Sequence, residues 1–328
     1  MNQSLSDNYG RTIDYLRISV TDRCNLRCVY CMPEDGVPSL PHEEILRYEE
    51  IVRLTRIAAD LGIRAVRLTG GEPLVRKDII DLVGMLSEIE GIDSVNMTTN
   101  GTLLAPMAQE LARAGLERVN ISLDSLRPDR YAAITRRDDF DAALAGIKAA
   151  QEAGLIPVKI NMVVMGGVND DEVVDFARRS RSHGWHVRFI ECMPLGEQAG
   201  NAWRDYISTD ETRRTIEATL GPLTSADVES KGPSRTWRLP NAEGTIGFIS
   251  AISHNFCDRC NRLRLTANGR LLPCLLSDVE FDLRAPLRHG ADDKALRDIF
   301  LQAVAAKPKG HRLDQHATTR HEMSRIGG

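Results

Sequence analysis

The sequence has no long hydrophobic run and few of the features that bind nucleic acid. No apolar stretch reaches the roughly 18 uninterrupted residues of a membrane-spanning helix, and the first dozen residues lack the apolar centre of a signal peptide. Aromatic residues make up 5% of the chain and the net charge is −4, whereas nucleic-acid binders present basic, aromatic surfaces. We therefore expect a cytoplasmic protein with neither a membrane nor a nucleic acid as partner.

The sequence also lacks the evenly spread cysteines of disulfide-bonded proteins. Six of its seven cysteines fall into two tight groups, which suits metal binding in a reducing compartment. The seventh, Cys192, has no cysteine near it in sequence, and we expect it to be a small buried apolar residue. At 328 residues, the chain is long enough for one large α/β barrel or two modest domains.

The first cysteine group has the spacing C-x₃-C-x₂-C and comprises Cys24, Cys28 and Cys31. A structural zinc site takes four ligands, whereas three thiolates on a four-iron cluster leave one iron open to another ligand. Tyr30 stands beside the third cysteine, where its ring would pack on a ligand or shield the cluster. From this segment alone, a zinc knuckle completed by a distant histidine stays open.

The second group comprises Cys257, Cys260 and Cys274. Asn268-Gly269 lies between two apolar runs and predicts a hairpin that brings Cys274 back toward the other two. A second cluster with an open iron is one interpretation of these three thiols. A zinc site with three cysteines and His254 as ligands is the other.

Two arginines, Arg262 and Arg264, alternate along the strand that follows Cys260, so both should face one side of it. Guanidinium groups bind phosphate oxygens in a bidentate fork, so this pair beside an open metal site suits a polyphosphate ligand. Solvated surface arginines are the alternative.

Strand-like segments alternate with amphipathic helical segments six times up to about Pro194. Such alternation predicts a parallel sheet, and six units without the last two predict an incomplete (β/α)₆ TIM-type barrel within the α/β class. A doubly wound open sheet is the alternative, but no G-x-G-x-x-G follows the first strand. The predicted strands are Tyr15 to Val20, Ala65 to Thr69, Ser94 to Thr99, Arg118 to Leu123, Val158 to Met165 and His186 to Glu191.

Beyond Pro194 the pattern changes to a helix from Asp210 to Leu220 and a hairpin formed by Ser234 to Pro240 and Thr245 to Ser250. We therefore predict a barrel over residues 1–195 and a C-terminal α+β module over residues 196–328. Because reacting groups gather at the C-terminal ends of barrel strands, we place the site there. The segment 70–73, Gly-Gly-Glu-Pro, follows the second strand, and its main chain would approach a ligand closely or form a plain turn.

The spacing of the first cysteines and the aromatic residue beside them resemble the radical S-adenosylmethionine (SAM) superfamily. Both cysteine groups, the segment 70–73, the segment 260–266 and the terminal Gly-Gly together resemble the GTP 3′,8-cyclases of molybdenum cofactor biosynthesis, from about Tyr15 to Gly328. The resemblance implies two [4Fe-4S] clusters, one binding SAM on the first cysteines and one binding GTP on the second. It also implies that the C-terminal module closes the incomplete barrel.

The resemblance assigns roles to individual residues. It implies that the SAM pocket is lined by Tyr30, Gly71, Ser122 and Met193. It implies that GTP is contacted by Arg17, Arg67, Thr98, Lys159, Arg262 and Arg264. It implies catalytic roles for Arg17, Arg262, Arg264, Gly327 and Gly328, with the terminal glycines entering the site.

The implied reaction is a lyase step that converts GTP to (8S)-3′,8-cyclo-7,8-dihydroguanosine 5′-triphosphate. In it, a 5′-deoxyadenosyl radical takes H3′ of the ribose, and C3′ then bonds to C8. The implied partners are an electron donor such as flavodoxin or ferredoxin and the downstream cyclic pyranopterin monophosphate synthase, and a homodimer is compatible with the family.

Two other classes of function remain. One is a radical SAM peptide-modifying enzyme, which would be expected to show more C-terminal cysteines. The other is a zinc-dependent nucleotide or RNA binder, which would be expected to have a basic, aromatic surface.

Overall fold

In a computed structural model of the chain, residues 5–195, 199–226, 232–311, 313 and 323–327 are described. These residues form one sheet of twelve strands in the spatial order β12-β11-β10-β1-β2-β3-β4-β5-β6-β9-β8-β7. The strands are β1 (Tyr15–Ser19), β2 (Ala65–Thr69), β3 (Ser94–Thr99), β4 (Leu116–Ser122), β5 (Lys159–Val164), β6 (His186–Glu191), β7 (Thr224–Ser225), β8 (Arg235–Arg238), β9 (Ile246–Ile249), β10 (Arg262–Leu265), β11 (Arg270–Leu272) and β12 (Phe281–Asp282).

Helices follow most of the strands, as in a β/α fold. They are α1 (Tyr48–Asp60), α2 (Ile79–Ser87), α3 (Ala108–Arg113), α4 (Pro128–Thr135), α5 (Phe140–Glu152), α6 (Val173–Ser182), α7 (Ala199–Arg204), α8 (Thr209–Leu220), α9 (Arg284–Arg288), α10 (Asp293–Ala305) and α11 (Met323–Ile326). Within the ranges described, no helix has the length and apolar character needed to cross a membrane.

The six predicted strands form the parallel centre of the sheet, β1 to β6, which confirms the predicted α/β class. The predicted hairpins are present as the antiparallel pairs β8–β9 and β10–β11. Strands of the C-terminal part extend the parallel sheet at both edges, because β10 pairs with β1 and β9 pairs with β6, both in parallel. The division at residue 195 stays a prediction.

The two faces of the parallel strands differ in chemistry. Leu16 and Ile18 of β1 are buried in the apolar core, whereas Tyr15 and Arg17 point to the opposite face because side chains alternate along a strand. Residues paired with these on the neighbouring strands face the same side, and together they form one inner face, which we call the lumen. Its residues include Tyr15, Arg17, Arg67, Asn96, Thr98, Asn120, Ser122, Lys159, Asn161, His186, Arg188, Arg262 and Arg264.

The sheet curves around the lumen. Tyr15 on β1 and Arg188 on β6 are five strands apart, which would be about 24 Å in a flat sheet at roughly 4.8 Å per strand. Burial and the nearby Arg67 lower the pKa of Arg188 to about 10, and Tyr15 partly opposes this shift. Tyr15 and Arg67 can act on Arg188 only if β6 approaches β1 and β2, as in the predicted incomplete barrel.

A buried carboxylate at the end of β6 connects the barrel to the C-terminal part. Glu191 is 1% exposed, and its oxygens accept hydrogen bonds from the backbone amides of Thr209, Ile252 and Ser253 at 3.0, 2.7 and 3.0 Å. The Ser253 hydroxyl also donates to it. This carboxylate therefore holds the start of α8 and the segment before the second cysteine group against the barrel.

Replacing Glu191 with Ala should lower the free energy of unfolding by at least about 3 kcal/mol, because several buried donors lose their acceptor. Urea unfolding of the metal-free protein measures this change. The matched control is Glu110→Ala on the exposed surface of α3, which should change stability by about 0.5 kcal/mol or less. Equal effects of the two substitutions would contradict the role assigned to Glu191.

Candidate functional site

The lumen is lined by basic side chains at matching levels on neighbouring strands. Arg264, Arg17 and Arg67 lie side by side on β10, β1 and β2. Arg262 lies beside Tyr15, one level below. On the opposite wall, Lys159 of β5 is one level below Arg188 of β6, as the strand register shows.

The sheet itself places no acidic side chain beside this positive charge. In β10 and β1 to β6, which all lie in described ranges, no lumen position listed above carries Asp or Glu. Burial and the neighbouring Arg188 and Arg67 lower the pKa of Lys159 to about 7. Burial and Arg262 lower the pKa of Arg264 to about 10. The cavity therefore favours a polyanionic ligand.

Several lumen atoms are buried but have no hydrogen-bond partner among the described residues: Thr98 Oγ1, Asn120 Oδ1, Asn161 Oδ1 and Arg262 Nε. Three of them lie on the adjacent strands β3, β4 and β5, where Thr98 pairs with Asn120 and Asn161 pairs with Ser122. Unpaired buried polar atoms are costly and mark places where a ligand or water completes the hydrogen bonding. The donors and acceptors therefore fit a ligand with both polar and anionic groups.

The first cysteine loop, residues 24–31, follows β1 at the C-terminal end of the barrel. The Leu26 amide lies 3.4 Å from Cys24 Sγ. Burial and, to a smaller extent, the nearby Glu72 raise the pKa of Cys24 to about 11. Burial also raises the pKa of Cys28, with Asp124 adding to the shift. These thiols therefore lie in a buried environment that contains carboxylates.

The segment 70–73 packs directly against this loop. The Gly71 and Glu72 amides donate to the carbonyl oxygens of Thr21 and Arg23, both at 2.8 Å. A Cβ added to Gly71 would lie 2.3 Å from the Arg23 oxygen. The lack of a side chain at Gly71 therefore lets the segment 70–73 lie against the backbone that leads into the cysteine loop.

The glutamate of the same segment had no role assigned from the sequence. Glu72 is buried and accepts hydrogen bonds from Thr99 Oγ1 at 2.7 Å and the Asn100 amide at 2.6 Å. Burial raises its pKa to about 7. Asn100 Nδ2 bonds in turn to Asn25 Oδ1 of the cysteine loop at 2.9 Å. Glu72 therefore connects the end of β3 to the loop that carries the first thiols.

Tyr30 is fixed by a buried carboxylate. Its hydroxyl donates to Asp124 Oδ2 at 2.8 Å, and Asp124 Oδ1 accepts from the Val163 amide at 2.8 Å. Ser122 ends β4 and Met193 follows β6. The four residues assigned to the SAM pocket therefore belong to segments at one end of the barrel, next to the first cysteine loop.

The second cysteine group lies beside β10 and β11, whose hairpin brings Cys274 near Cys257 and Cys260. The three thiols act electrostatically on one another, and the Leu276 amide lies 3.4 Å from Cys274 Sγ. Burial raises the pKa of Cys260, but Arg262 and Lys307 outweigh burial and bring it to about 7. This site therefore has cationic neighbours.

The histidine proposed as a zinc ligand is engaged elsewhere. His254 Nε2 lies 2.6 Å from Asp210 Oδ2. Among the residues that the structure describes, no three His, Cys, Asp or Glu side chains come close enough to share one metal ion. An iron–sulfur cluster instead spreads its three thiolates over different iron atoms.

The C-terminal tail reaches the lumen. Arg264 Nη1 donates a hydrogen bond to the carbonyl oxygen of Gly327 and another, at 3.4 Å, to that of Ile326. Gly327 has a φ of 72°, and an added Cβ would lie 2.0 Å from Thr69 Oγ1. Both constraints require glycine here. Gly328, to which the sequence analysis also assigned a role, lies outside the described residues.

Six of the lumen residues named above were missed from the sequence: Tyr15, Asn96, Asn120, Asn161, His186 and Arg188. Tyr15 accepts a hydrogen bond from Arg67 Nε at 2.5 Å, and Arg67 Nη1 donates to the Met97 oxygen at 3.0 Å. Tyr15 therefore helps to fix the Arg67 guanidinium. The period-two alternation of polar residues along the predicted strands is the sequence signal that could have identified these lumen residues.

Comparisons with known proteins show which family the chain resembles. The family model for the radical SAM superfamily matches residues 18–179, and the model described as Molybdenum Cofactor Synthesis C matches residues 185–313. The GTP 3′,8-cyclase of Pelotomaculum thermopropionicum is 52% identical, with 99% of this chain and 100% of that protein covered. The GTP 3′,8-cyclase of Heliobacterium modesticaldum is 54% identical, with 98% and 99% covered.

Solved structures with a similar fold are more distant in sequence. Streptococcus suis SuiB bound to precursor peptide SuiA has a TM-score of 0.65 at 14% identity, covering 90% of this chain and 65% of that chain. SuiB bound to S-adenosylmethionine has a TM-score of 0.60 at 15% identity, covering 88% and 65%. At these identities the likeness shows the fold alone.

Replacing Cys24, Cys28 and Cys31 together with Ala should halve the iron content, from about eight to about four per chain, because each cubane holds four irons. The measurement is anaerobic iron and zinc analysis of the reconstituted protein. The matched control is Cys192→Ala, since Cys192 is 2% exposed and packs with Ile134 and Met165. Complete loss of iron in the triple variant, or loss in the control, would contradict two independent cysteine sites.

Proposed function

The chain belongs to the GTP 3′,8-cyclase family of radical SAM enzymes, and we propose that it converts GTP to (8S)-3′,8-cyclo-7,8-dihydroguanosine 5′-triphosphate. This reaction is the first step of molybdenum cofactor biosynthesis. The observation that carries the proposal is the basic lumen, which begins at one cysteine site and extends to the other. A nucleoside triphosphate would bring negative charge to these basic side chains.

Two [4Fe-4S] clusters are the cofactors of this enzyme. Cys24, Cys28 and Cys31 would hold the first, and Cys257, Cys260 and Cys274 the second. Three thiolates at each site leave one iron open, which suits SAM at the first and GTP at the second. A bound, reduced first cluster supplies the electron that cleaves SAM to methionine and the 5′-deoxyadenosyl radical that takes H3′ from GTP.

The chain itself binds and orients the nucleotide. Arg17, Arg67, Lys159 and Arg188 would hold phosphate oxygens by charge-assisted hydrogen bonds. Arg262 and Arg264 would position the end of the nucleotide that faces the second cysteine site. The Thr98 hydroxyl, which has no partner among the described residues, would form a hydrogen bond with the ligand. Orientation matters because only a fixed ribose presents H3′, and no other hydrogen, to the radical.

SAM would bind at the C-terminal ends of the strands. The segment containing Gly71, held against the cysteine loop, would direct its carbonyl groups toward the SAM ammonium. Tyr30, Ser122 and Met193 would contact the rest of the molecule. Asp124 and Glu72 touch the residues around this pocket and act as positioning residues.

The tail would complete the cavity. Gly327 lies between Arg264 and Thr69, so the described part of the tail reaches one of the arginines that would contact GTP. We assign Gly327 and Gly328 the task of narrowing the cavity and fixing Arg264, which excludes water and other reactive hydrogens from the radical.

The enzyme's wider setting is also part of the proposal. We assign it to the cytoplasm, with a flavodoxin or ferredoxin as electron donor and a homodimer as its assembly. The cyclic pyranopterin monophosphate synthase would consume its product.

The experiment is anaerobic turnover of the reconstituted enzyme with GTP, SAM and a reductant. The product is an isomer of GTP, so we expect a compound of unchanged mass but new chromatographic retention, formed together with 5′-deoxyadenosine. Formation of 5′-deoxyadenosine with no change in GTP would contradict the proposed substrate.

The affinity for GTP should fall roughly tenfold between pH 7.0 and 8.5. Lys159 has a pKa of about 7 without ligand, so above this pH the neutral amine must take up a proton to bind phosphate. Anaerobic calorimetry at the two pH values measures the change. In Lys159→Met, binding at pH 7.0 should be weaker and nearly independent of pH. The same slope in this variant would contradict the assignment.

Deleting Gly327 and Gly328 should leave iron content and the unfolding midpoint unchanged but slow GTP cyclisation by at least about a hundredfold, since catalysis depends on substrate position. Single-turnover cyclisation under anaerobic conditions measures the rate.

A matched pair refines this test. Gly327→Ala should also impair cyclisation because its Cβ meets Thr69. Gly290→Ala should not, although Gly290 has a φ of 81° too, because nothing lies within 4 Å of its added Cβ. Near-normal cyclisation by the truncated enzyme would contradict a role for the tail.

A further inference from the structure

A buried lysine from the C-terminal part contacts the second cysteine site. Lys307 is 3% exposed, and its Nζ donates to the carbonyl oxygens of Arg262 and Pro273, both at 2.7 Å. Arg262 follows Cys260 by two residues, and Pro273 directly precedes Cys274. Lys307 also acts on Cys260 and lowers the pKa of its thiol. The two carbonyl oxygens take up two of the three donors of the ammonium group.

The charge of Lys307 has no carboxylate partner in the described part of the chain. Arg11, which is also buried nearby, differs in this respect. Its Nη1 donates to the Cys257 oxygen at 2.6 Å, but its Nε pairs with Asp7 Oδ2 at 2.6 Å. Arg11 thus brings a compensated charge to the site, whereas Lys307 brings a net positive charge.

The surroundings of the first cysteine loop differ from these. Glu72 and Asp124 are buried carboxyl groups beside it. Cations also approach, because Arg27 Nη1 donates to the Cys24 carbonyl oxygen at 2.6 Å and Arg136 Nη1 donates to the Arg27 carbonyl oxygen at 3.0 Å, but both arginines are partly exposed and solvent screens their charge. The first loop therefore has buried carboxyl groups beside it, whereas the second site has a buried lysine.

We propose that Lys307 sets the reduction potential of the second iron–sulfur cluster and holds it above the potential of the first. Reduction adds one electron from the external donor to the cluster and changes no bond. A buried, unpaired ammonium next to a cluster thiolate stabilises the extra negative charge, and the weak screening of the interior preserves the effect. This inference rests on the second cluster of the proposed function.

Its functional consequence is a division between the clusters. The first cluster, beside buried carboxyl groups, would be the harder to reduce and hence the stronger reductant, as cleavage of SAM requires. The second cluster, beside Lys307, would have the higher reduction potential and would therefore be the more easily reduced. Lys307 is thus a positioning residue that acts through the cluster and does not touch the substrate.

The test is a redox titration of the second cluster by electron paramagnetic resonance. The full-length protein with Cys24, Cys28 and Cys31 replaced by Ala carries only that cluster, and dithionite with redox mediators sets the potential. Lys307→Met removes the charge and the hydrogen bonds, Lys307→Gln keeps donors without charge, and Lys307→Arg keeps the charge. Lys309→Met is the matched control, because Lys309 is exposed on the same segment.

Lys307→Met and Lys307→Gln should each reduce the equilibrium constant for cluster reduction by at least about tenfold, which is about 59 mV for one electron. Lys307→Arg and Lys309→Met should stay within about threefold of the parent. An unchanged potential in both neutral variants would overturn the proposal. So would an equal fall in Lys307→Arg, because the effect would then follow the shape of the side chain and not its charge.

Cluster assembly gives a second readout. If Lys307→Met does not retain iron, the comparison is made between Lys307→Gln and Lys307→Arg. If only Lys307→Arg retained iron, the result would support a requirement for positive charge at this position. Loss of iron from Lys307→Met, Lys307→Gln and Lys307→Arg alike would overturn that requirement. The titration uses neither GTP nor SAM, so its failure leaves cyclase activity untouched. Zinc in place of iron in the parent protein would instead contradict the second cluster and the proposed function.

Discussion

The burial of several positive charges on the inner face of the sheet, where the described strands β10 and β1 to β6 place no carboxylate, is the constraint on which the site depends. Strand alternation places apolar residues such as Leu16 and Ile18 under the helices and directs Arg17 and its neighbours inward. The lowered pKa values of Lys159 and Arg188 express the cost of this arrangement. A triphosphate offsets the cost, so the cavity is most stable when the proposed substrate occupies it.

The C-terminal part contributes to this cavity in two ways. Strands β9 and β10 extend the parallel sheet at both edges, and β10 adds Arg262 and Arg264 to the lumen. Glu191 then fixes the segment that leads into the second cysteine site, so the two cysteine sites are held at defined positions around one cavity. The buried Lys307 at the second site would give its cluster a task different from that of the first.

Much of this could be predicted from the sequence. The six barrel strands were predicted closely because their apolar runs are separated by amphipathic helices. The role of the thiols as cluster ligands follows from their specific spacing and stays a prediction. Asn120, Asn161 and Arg188 were missed because a polar residue facing a barrel lumen has the same period as one facing solvent. Lys307 was missed because its burial depends on Arg262 and Pro273, which are distant in sequence.

The central claim is that the lumen holds GTP with its ribose C3′ hydrogen presented to a SAM-derived radical. Single turnover with GTP carrying deuterium at C3′ tests this claim most directly. We predict that the 5′-deoxyadenosine formed contains one deuterium, seen as a mass increase of about one unit, and that the cyclised nucleotide has lost it. Unlabelled 5′-deoxyadenosine, with deuterium retained in the nucleotide, would contradict the account.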